Sequence, residues 1–193
     1  MLHVTIIAQF CYTGCTMNNA TLNKLRAAVL GANDGIVSTS SVVMGVAGAG
    51  AGRGAIFTAG LAALVAGALS MAVGEYVSVS SQSDAEKVHI KKKHGGDASG
   101  HEITNPLHAA LASLIAFTIG GFVPFLAIIA SPEPQRILIT VAAVFLALLL
   151  TGYLSATVGK ASRTRAMLRV VIGGLLAMVI TYYVGVWFGT SIG

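Results

Sequence analysis

Two of the chain's seven acidic residues, Asp34 and Glu75, lie inside long apolar segments, and the two segments are neighbours. A carboxylate held at membrane depth costs kilocalories unless something binds it, so each is a candidate functional residue. Positions i, i+4, i+7 and i+11 of a helix share a face. Asp34, Ser38, Ser41 and Gly45 therefore form one polar or small stripe, and Met71, Glu75, Ser78 and Gln82 form a second. Asp34 follows Arg26 by eight residues, about 12 Å along a helix. Glu75 stands about as far from the same end of its own segment, so the two acids are expected at one depth.

Two acids at one level call for positive charge, and no Lys or Arg falls within the core of any apolar segment. A cation from outside the protein is the simplest partner. Carboxylate oxygens suit hard to borderline divalent ions, and the Met71 thioether, one turn from Glu75, adds a softer ligand that Mg2+ or Ca2+ would not use. The set Asp34, Met71 and Glu75 thus points to a transition metal such as Fe2+ or Mn2+, with Ser38, Ser41 and Ser78 lining its path. The plainer reading makes Met71 a gap filler and the acids protonated partners of nearby serines. Water exclusion disfavours a charged carboxylate, so an unliganded site holds a proton that an arriving metal displaces. That linkage is the minimum chemistry of a proton-coupled metal exporter. His89, His94 and His101 offer imidazoles for transient metal capture, although their spacing matches no established metal motif and a solvated polar loop explains them as well. His108, following Asn105 and Pro106, reads as a helix-end residue.

The elements that hold these residues follow from composition. Hydrophobic residues make up 55% of 193, charged residues 10%, and mean hydropathy is +0.80, which excludes a soluble domain. Five windows, near 27–50, 54–79, 107–130, 137–159 and 166–190, each offer about 20 mostly apolar residues, enough to cross a hydrocarbon core of ~30 Å. The expected fold is all-α, a multi-pass membrane protein in contact with lipid. The net charge of +5 is no nucleic-acid footprint, because the basic residues sort by loop. Lys24, Arg26, Lys87, Lys91, Lys92, Lys93, Lys160, Arg163, Arg165 and Arg169 fall on one side, Arg53 and Arg136 on the other. The positive-inside rule then places the N-terminus and the polar, His- and Lys-rich loop 80–106 in the cytoplasm and the C-terminus outside. Gly95, Gly96 and Gly100 argue against a continuous helix through that loop. Residues 1–23 form a tail in which Cys11 and Cys15 cannot alone build a disulfide framework or a four-ligand zinc site. Met17 precedes the polar lead into the first span, so residues 1–16 are compatible with an upstream misassigned start.

Gly31 and Gly35 make a GxxxG pair, and Gly60, Gly67 and Gly74 recur every seven residues along the second span. Small residues at such spacing permit close helix approach, either within the subunit or between subunits. The later spans hold no acidic residue and read as scaffold, with Pro124 expected to kink the third.

At these residues the chain resembles the vacuolar iron transporter family. The resemblance is carried by LRAAVLGANDGIVSTSSVVMGV (Leu25 to Val46), GLAALVAGALSMAVGEYVSVSSQSD (Gly60 to Asp84), NPLHAALAS (Asn105 to Ser113) and RVVIGGLLAMVITYYVG (Arg169 to Gly185), and covers almost everything after Asn23. It implies a five-helix homodimer whose first two helices line a central path and move Fe2+ or Mn2+ out of the cytosol against protons. It also implies a metal site at Asp34 of GANDG and Met71 of SMAVGEYVS, with Glu75 beside them, doubled by a two-fold axis. That tilts the glycine spacing towards a subunit interface. Fuller members insert a helical cytoplasmic metal-binding domain between spans two and three; here about 25 residues occupy that place, as in the short, nodulin-like branch. Metal pre-loading by that domain is not carried over.

The resemblance implies a transporter with no catalytic residues and no tightly bound cofactor. The competing classes are an intramembrane enzyme, either an aspartyl protease, which would want paired aspartates in its own motifs, or a di-iron metalloenzyme, which would want several His-rich clusters, and a non-transporting structural dimer, which leaves Asp34 and Glu75 without a reason. The compact loops favour a bacterial cell membrane over a vacuolar one.

Overall fold

A computed structural model describes residues 19–94, 104–159 and 162–192. They form five long helices: α1 (Asn19–Gly48), α2 (Arg53–His94), α3 (Pro106–Ala130), α4 (Arg136–Val158) and α5 (Arg163–Ile192), with a single 3-10 turn, Glu133–Gln135, before α4. Each long helix contains a stretch long and apolar enough to cross a membrane, as the composition requires. Cys11, Cys15, Met17 and His101 lie outside the described residues.

Large apolar side chains cover the outside of the bundle, among them Ile119, Leu138 and Leu146, while the centre is a smaller cluster built around Ile36, Val43, Val144, Leu148 and Met178. Helices that are apolar on every side belong in lipid, and what distinguishes their faces is residue size more than polarity. α1 is the hub and touches all four other helices.

Glycine decides how closely α1 meets its neighbours. A Cβ on Gly31 would lie 2.6 Å from the Ser113 carbonyl oxygen, and one on Gly35 would overlap the Phe117 carbonyl. From the other side, a Cβ on Gly120 would strike the backbone of Ala32. The GxxxG pair of α1 is therefore spent on α3 of the same chain, which corrects the expectation that it serves a subunit interface. Farther along α1, Gly45 meets Thr181 and Gly185 of α5 in the same manner. On α2, Gly60 packs against Val43 and Phe125, and Gly67 against the Phe117 ring, but Gly74 faces open space.

The turn from α1 to α2 is closed by Gly50, whose φ of 74° is cheap only for glycine. Gly50 N–H donates to the Ala47 carbonyl and Ala51 N–H to that of Val46, the paired bonds of a Schellman cap. At the same end Arg53 donates to the Ser131 carbonyl at 3.1 Å, and buried Arg136 pairs with Glu133 at 2.9 Å. Both arginines of this end are thus engaged in holding helix ends together.

At the opposite, basic end the structure departs from expectation. α2 has 42 residues, about 63 Å at 1.5 Å each, and so runs well past the ~30 Å of a hydrocarbon core. Residues 80–94, expected in a loop, continue the helix. Glu, Lys, Gln and Ala in this stretch are good helix formers, and Gln82 with Glu86 (3.0 Å) and Lys87 with Asp84 (3.4 Å) add side-chain pairs at helical spacing. The described part of the helix runs to His94, and Gly95, Gly96 and Gly100 lie outside the described residues. Glu86 also accepts from the Thr104 hydroxyl at 3.3 Å, and the same hydroxyl accepts from Asn23 at 3.4 Å. This polar knot ties α1, the α2 extension and the approach to α3. Asn105 then caps α3 by accepting from the N–H groups of Leu107 and His108, with Pro106 at the first helical position. His108 is an exposed helix-end residue, as expected. α3 continues as one helix through Pro124 to Ala130.

Candidate metal path around Asp34 and Glu75

Helices α1 and α2 run antiparallel, and two contacts set their register. Val43 lies against Gly60, and Ala27 packs with Val79 and Ala109. Interpolating between these contacts puts Asp34 level with Met71. Glu75 falls level with Leu30, about one turn or ~6 Å nearer the basic end. The acids therefore do not share one depth, and the α2 residue at Asp34's level along the helix pair is Met71.

The two acids also differ in surroundings. Glu75 belongs to the core stripe of α2, with Leu64, Ala68, Val79 and Ser83, and is 6% exposed. Its Oε1 accepts from Arg26 Nη2 at 2.7 Å. The expectation that the cation for these acids comes from outside the protein therefore fails for Glu75. Arginine's long apolar stem carries its charge about a turn beyond its own backbone, so a residue at the edge of a span serves one inside it. The sequence held a signal for this: Arg26, Leu30 and Asp34 recur at intervals of four, on one stripe of α1.

Asp34 is exposed in the single chain. Ser38 does not satisfy its carboxylate; that hydroxyl donates to the Asp34 main-chain carbonyl at 2.6 Å. Among the described residues the Asp34 carboxylate has no hydrogen-bond or ion-pair partner. Neighbours on its stripe, Leu30 and Val42, are exposed as well. The reading of Asp34 as an acid neutralised by nearby serine is thus not what the fold builds.

The remaining candidates scatter. Met71 is half-buried; Ser78 and Gln82 are exposed, because the buried stripe of α2 passes through Val79 and Ser83 instead. Ser41 lines a shallow groove of about 780 Å³ between α1 and α5, with Gly45, Ala49, Thr181, Gly185 and Gly189, beyond Asp34 towards the hairpin end. His89 is exposed on the α2 extension and His94 is that helix's last residue. No three His, Cys, Asp or Glu side chains converge among the described residues. A metal at Asp34 would accordingly draw on Met71, on main-chain or water oxygens, or on a second chain.

The model of the VIT family matches residues 25–96 and 87–186, and so takes in both acids, Met71 and Arg26. The chain belongs to the VIT family. Among its relatives, Vacuolar iron transporter homolog 3 of Arabidopsis thaliana is 50% identical over 159 residues, 82% of this chain and 80% of the relative. Homolog 4 of the same plant is 48% identical over an equal span. Vacuolar iron transporter homolog 1 of Oryza sativa subsp. japonica is 45% identical over 171 residues, 86% of this chain and 74% of the relative. These VIT relatives bear the names of transporters, not of enzymes. The matched segments take in 74–80% of these relatives, as expected for a short form of the family.

Proposed function

We propose that this protein moves a divalent transition metal, Fe2+ or Mn2+, out of the cytosol in exchange for protons. The observation that carries the reading is the exposed Asp34 carboxylate, which lies on a membrane-crossing helix and has no partner among the described residues, at the level of Met71 along the neighbouring helix. Such a carboxylate facing hydrocarbon alone would be costly, whereas one that binds a travelling cation has a reason to be there. A hard oxygen beside a soft sulfur selects borderline ions over Mg2+ and Ca2+.

In this reading two copies of the chain meet through α1 and α2, and a two-fold axis brings two Asp34 and two Met71 side chains to one metal. The same contact covers the exposed stripe of α1. The basic end faces the cytoplasm by the charge rule, so the ion enters past Arg26 and leaves at the hairpin end. Transient capture by His89, His94 and His101 before the ion enters the path also belongs to this reading. Relatives named for vacuolar iron transport support the metal and favour a vacuolar membrane; the bacterial membrane expected from compact loops finds no support in these plant relatives. A structural dimer without transport loses its main argument, since the GxxxG glycines are consumed within one chain.

The test is metal uptake into proteoliposomes by wild type, Asp34→Asn and Asp34→Ala, across several divalent ions and two opposed pH gradients. Wild type should move Fe2+ or Mn2+ with a rate set by the proton gradient, and both variants should lose it. Unchanged uptake with unchanged pH dependence in Asp34→Asn sinks the reading.

A further inference from the structure

Arg26 and Glu75 form the one ion pair, among the described residues, that joins two of the long helices. The geometry points to Arg26 as a tethered competitor: its guanidinium occupies the Glu75 carboxylate, and the travelling divalent ion gains that carboxylate only by displacing it. This rests on the proposed role of Asp34 and adds a residue that sets affinity and selectivity at the approach to it.

Three features argue for a partner built to leave. First, burial is unequal: the Glu75 side chain is 6% exposed and that of Arg26 is 51% exposed. The carboxylate is fixed in the core while its cation sits at the surface of the chain. Second, the bond is single, Nη2 to Oε1 at 2.7 Å. Arginine and carboxylate can form a two-point fork, and a pair meant only to brace two helices would gain by using it. Third, Arg26, Leu30 and Asp34 follow one stripe, with Glu75 level with Leu30. An ion moving along that stripe between the basic end and Asp34 passes the guanidinium before it meets Asp34.

The chemistry of arginine makes the arrangement selective. A guanidinium stays protonated at any working pH, so the pair opens by movement of Arg26 and not by loss of its proton. A monovalent ion brings no more charge to Glu75 than Arg26 already supplies. A divalent ion brings twice as much, and its attraction to the carboxylate doubles at equal distance. Glu75 would then join Met71, one turn along the same helix, in handing the ion towards Asp34.

Mn2+ uptake into proteoliposomes, paired with Mn2+ binding to the purified protein followed by loss of the free-ion electron paramagnetic resonance signal, tests this. With its competitor removed, Arg26→Gln should bind Mn2+ more tightly, the half-saturating concentration falling by about threefold or more, while maximal rate drops because release from Glu75 slows. Arg26→Lys, a weaker occupant that keeps the charge, should fall by about twofold and covers the case in which the glutamine variant does not fold. Glu75→Gln leaves the guanidinium unopposed and should raise the half-saturating concentration. An unchanged or raised value in Arg26→Gln, or in Arg26→Lys if only that variant folds, overturns the proposal when Asp34→Asn has lost transport in the same preparation. Normal transport by Asp34→Asn would instead remove the underlying reading, and this one with it.

Discussion

The two faces of α1 are built to opposite rules. On one, Gly31 and Gly35 let the helix touch the α3 backbone, and nothing larger than a hydrogen fits. On the other, Arg26, Leu30, Asp34 and Val42 stand exposed, and two of those four carry charge. The first face spends its residues on fixing a position and the second on leaving groups available. A helix held this rigidly on one side can present a carboxylate on the other at a defined depth, which is what a site between helices needs. α2 repeats the contrast more weakly: Gly60 and Gly67 are packed, Glu75 is buried and paired, and Gly74 is open.

Breaking the packed face should have the largest effect. Gly35→Val would drive a branched side chain into the Phe117 carbonyl, and backbone cannot step aside as a side-chain tip can. Overpacking ordinarily costs about 1–3 kcal/mol, and a clash with backbone stands at or above the top of that range. Little monodisperse protein should be recovered in detergent, measured by size-exclusion chromatography. On the exposed face, Asp34→Asn should leave yield and thermal midpoint near wild type while abolishing metal uptake. If both variants failed to fold, the division of labour between the faces would be wrong.

Much of this was legible in the residues, and the part that was not has a physical cause. Five spans follow from runs of apolar residues too long for any soluble core, and Asp34 and Glu75 stand out because charge is rare at that depth. The pairing of helix faces was harder to read. GxxxG spacing reports that a helix can be approached closely but not by which partner, and here the partner is α3 of the same chain. The α2 extension was hidden because a polar stretch with glycines beyond it resembles a loop until its side-chain pairs are seen. The role of Arg26 is not legible in chain position, which fixes only its backbone, whereas an arginine acts where its guanidinium lies.

The next effect in size separates the two acids. Glu75→Gln keeps the shape but leaves Arg26 unpaired. Breaking a fully buried pair costs about 3–5 kcal/mol, and half-exposure of the guanidinium discounts that to roughly 1–2 kcal/mol. The thermal midpoint in detergent should drop measurably, where Asp34→Asn leaves it in place. Asn105→Ala, which removes the oxygen capping Leu107 and His108, should cost about 1 kcal/mol by the same measurement and leave uptake unaltered.

The smallest effect is the most pointed. Gly74 is a helix-interior glycine with nothing within 4 Å of the place a Cβ would occupy. Gly74→Ala should therefore stabilise the single chain by about 0.5–1 kcal/mol, the gain from lowering backbone freedom in the unfolded state. A raised or unchanged midpoint would mean that this stretch of α2 meets only lipid. A clear drop would mean that a second chain lies against it, and the proposed contact of two copies through α1 and α2 would then run over Gly74, one residue from the carboxylate that Arg26 holds.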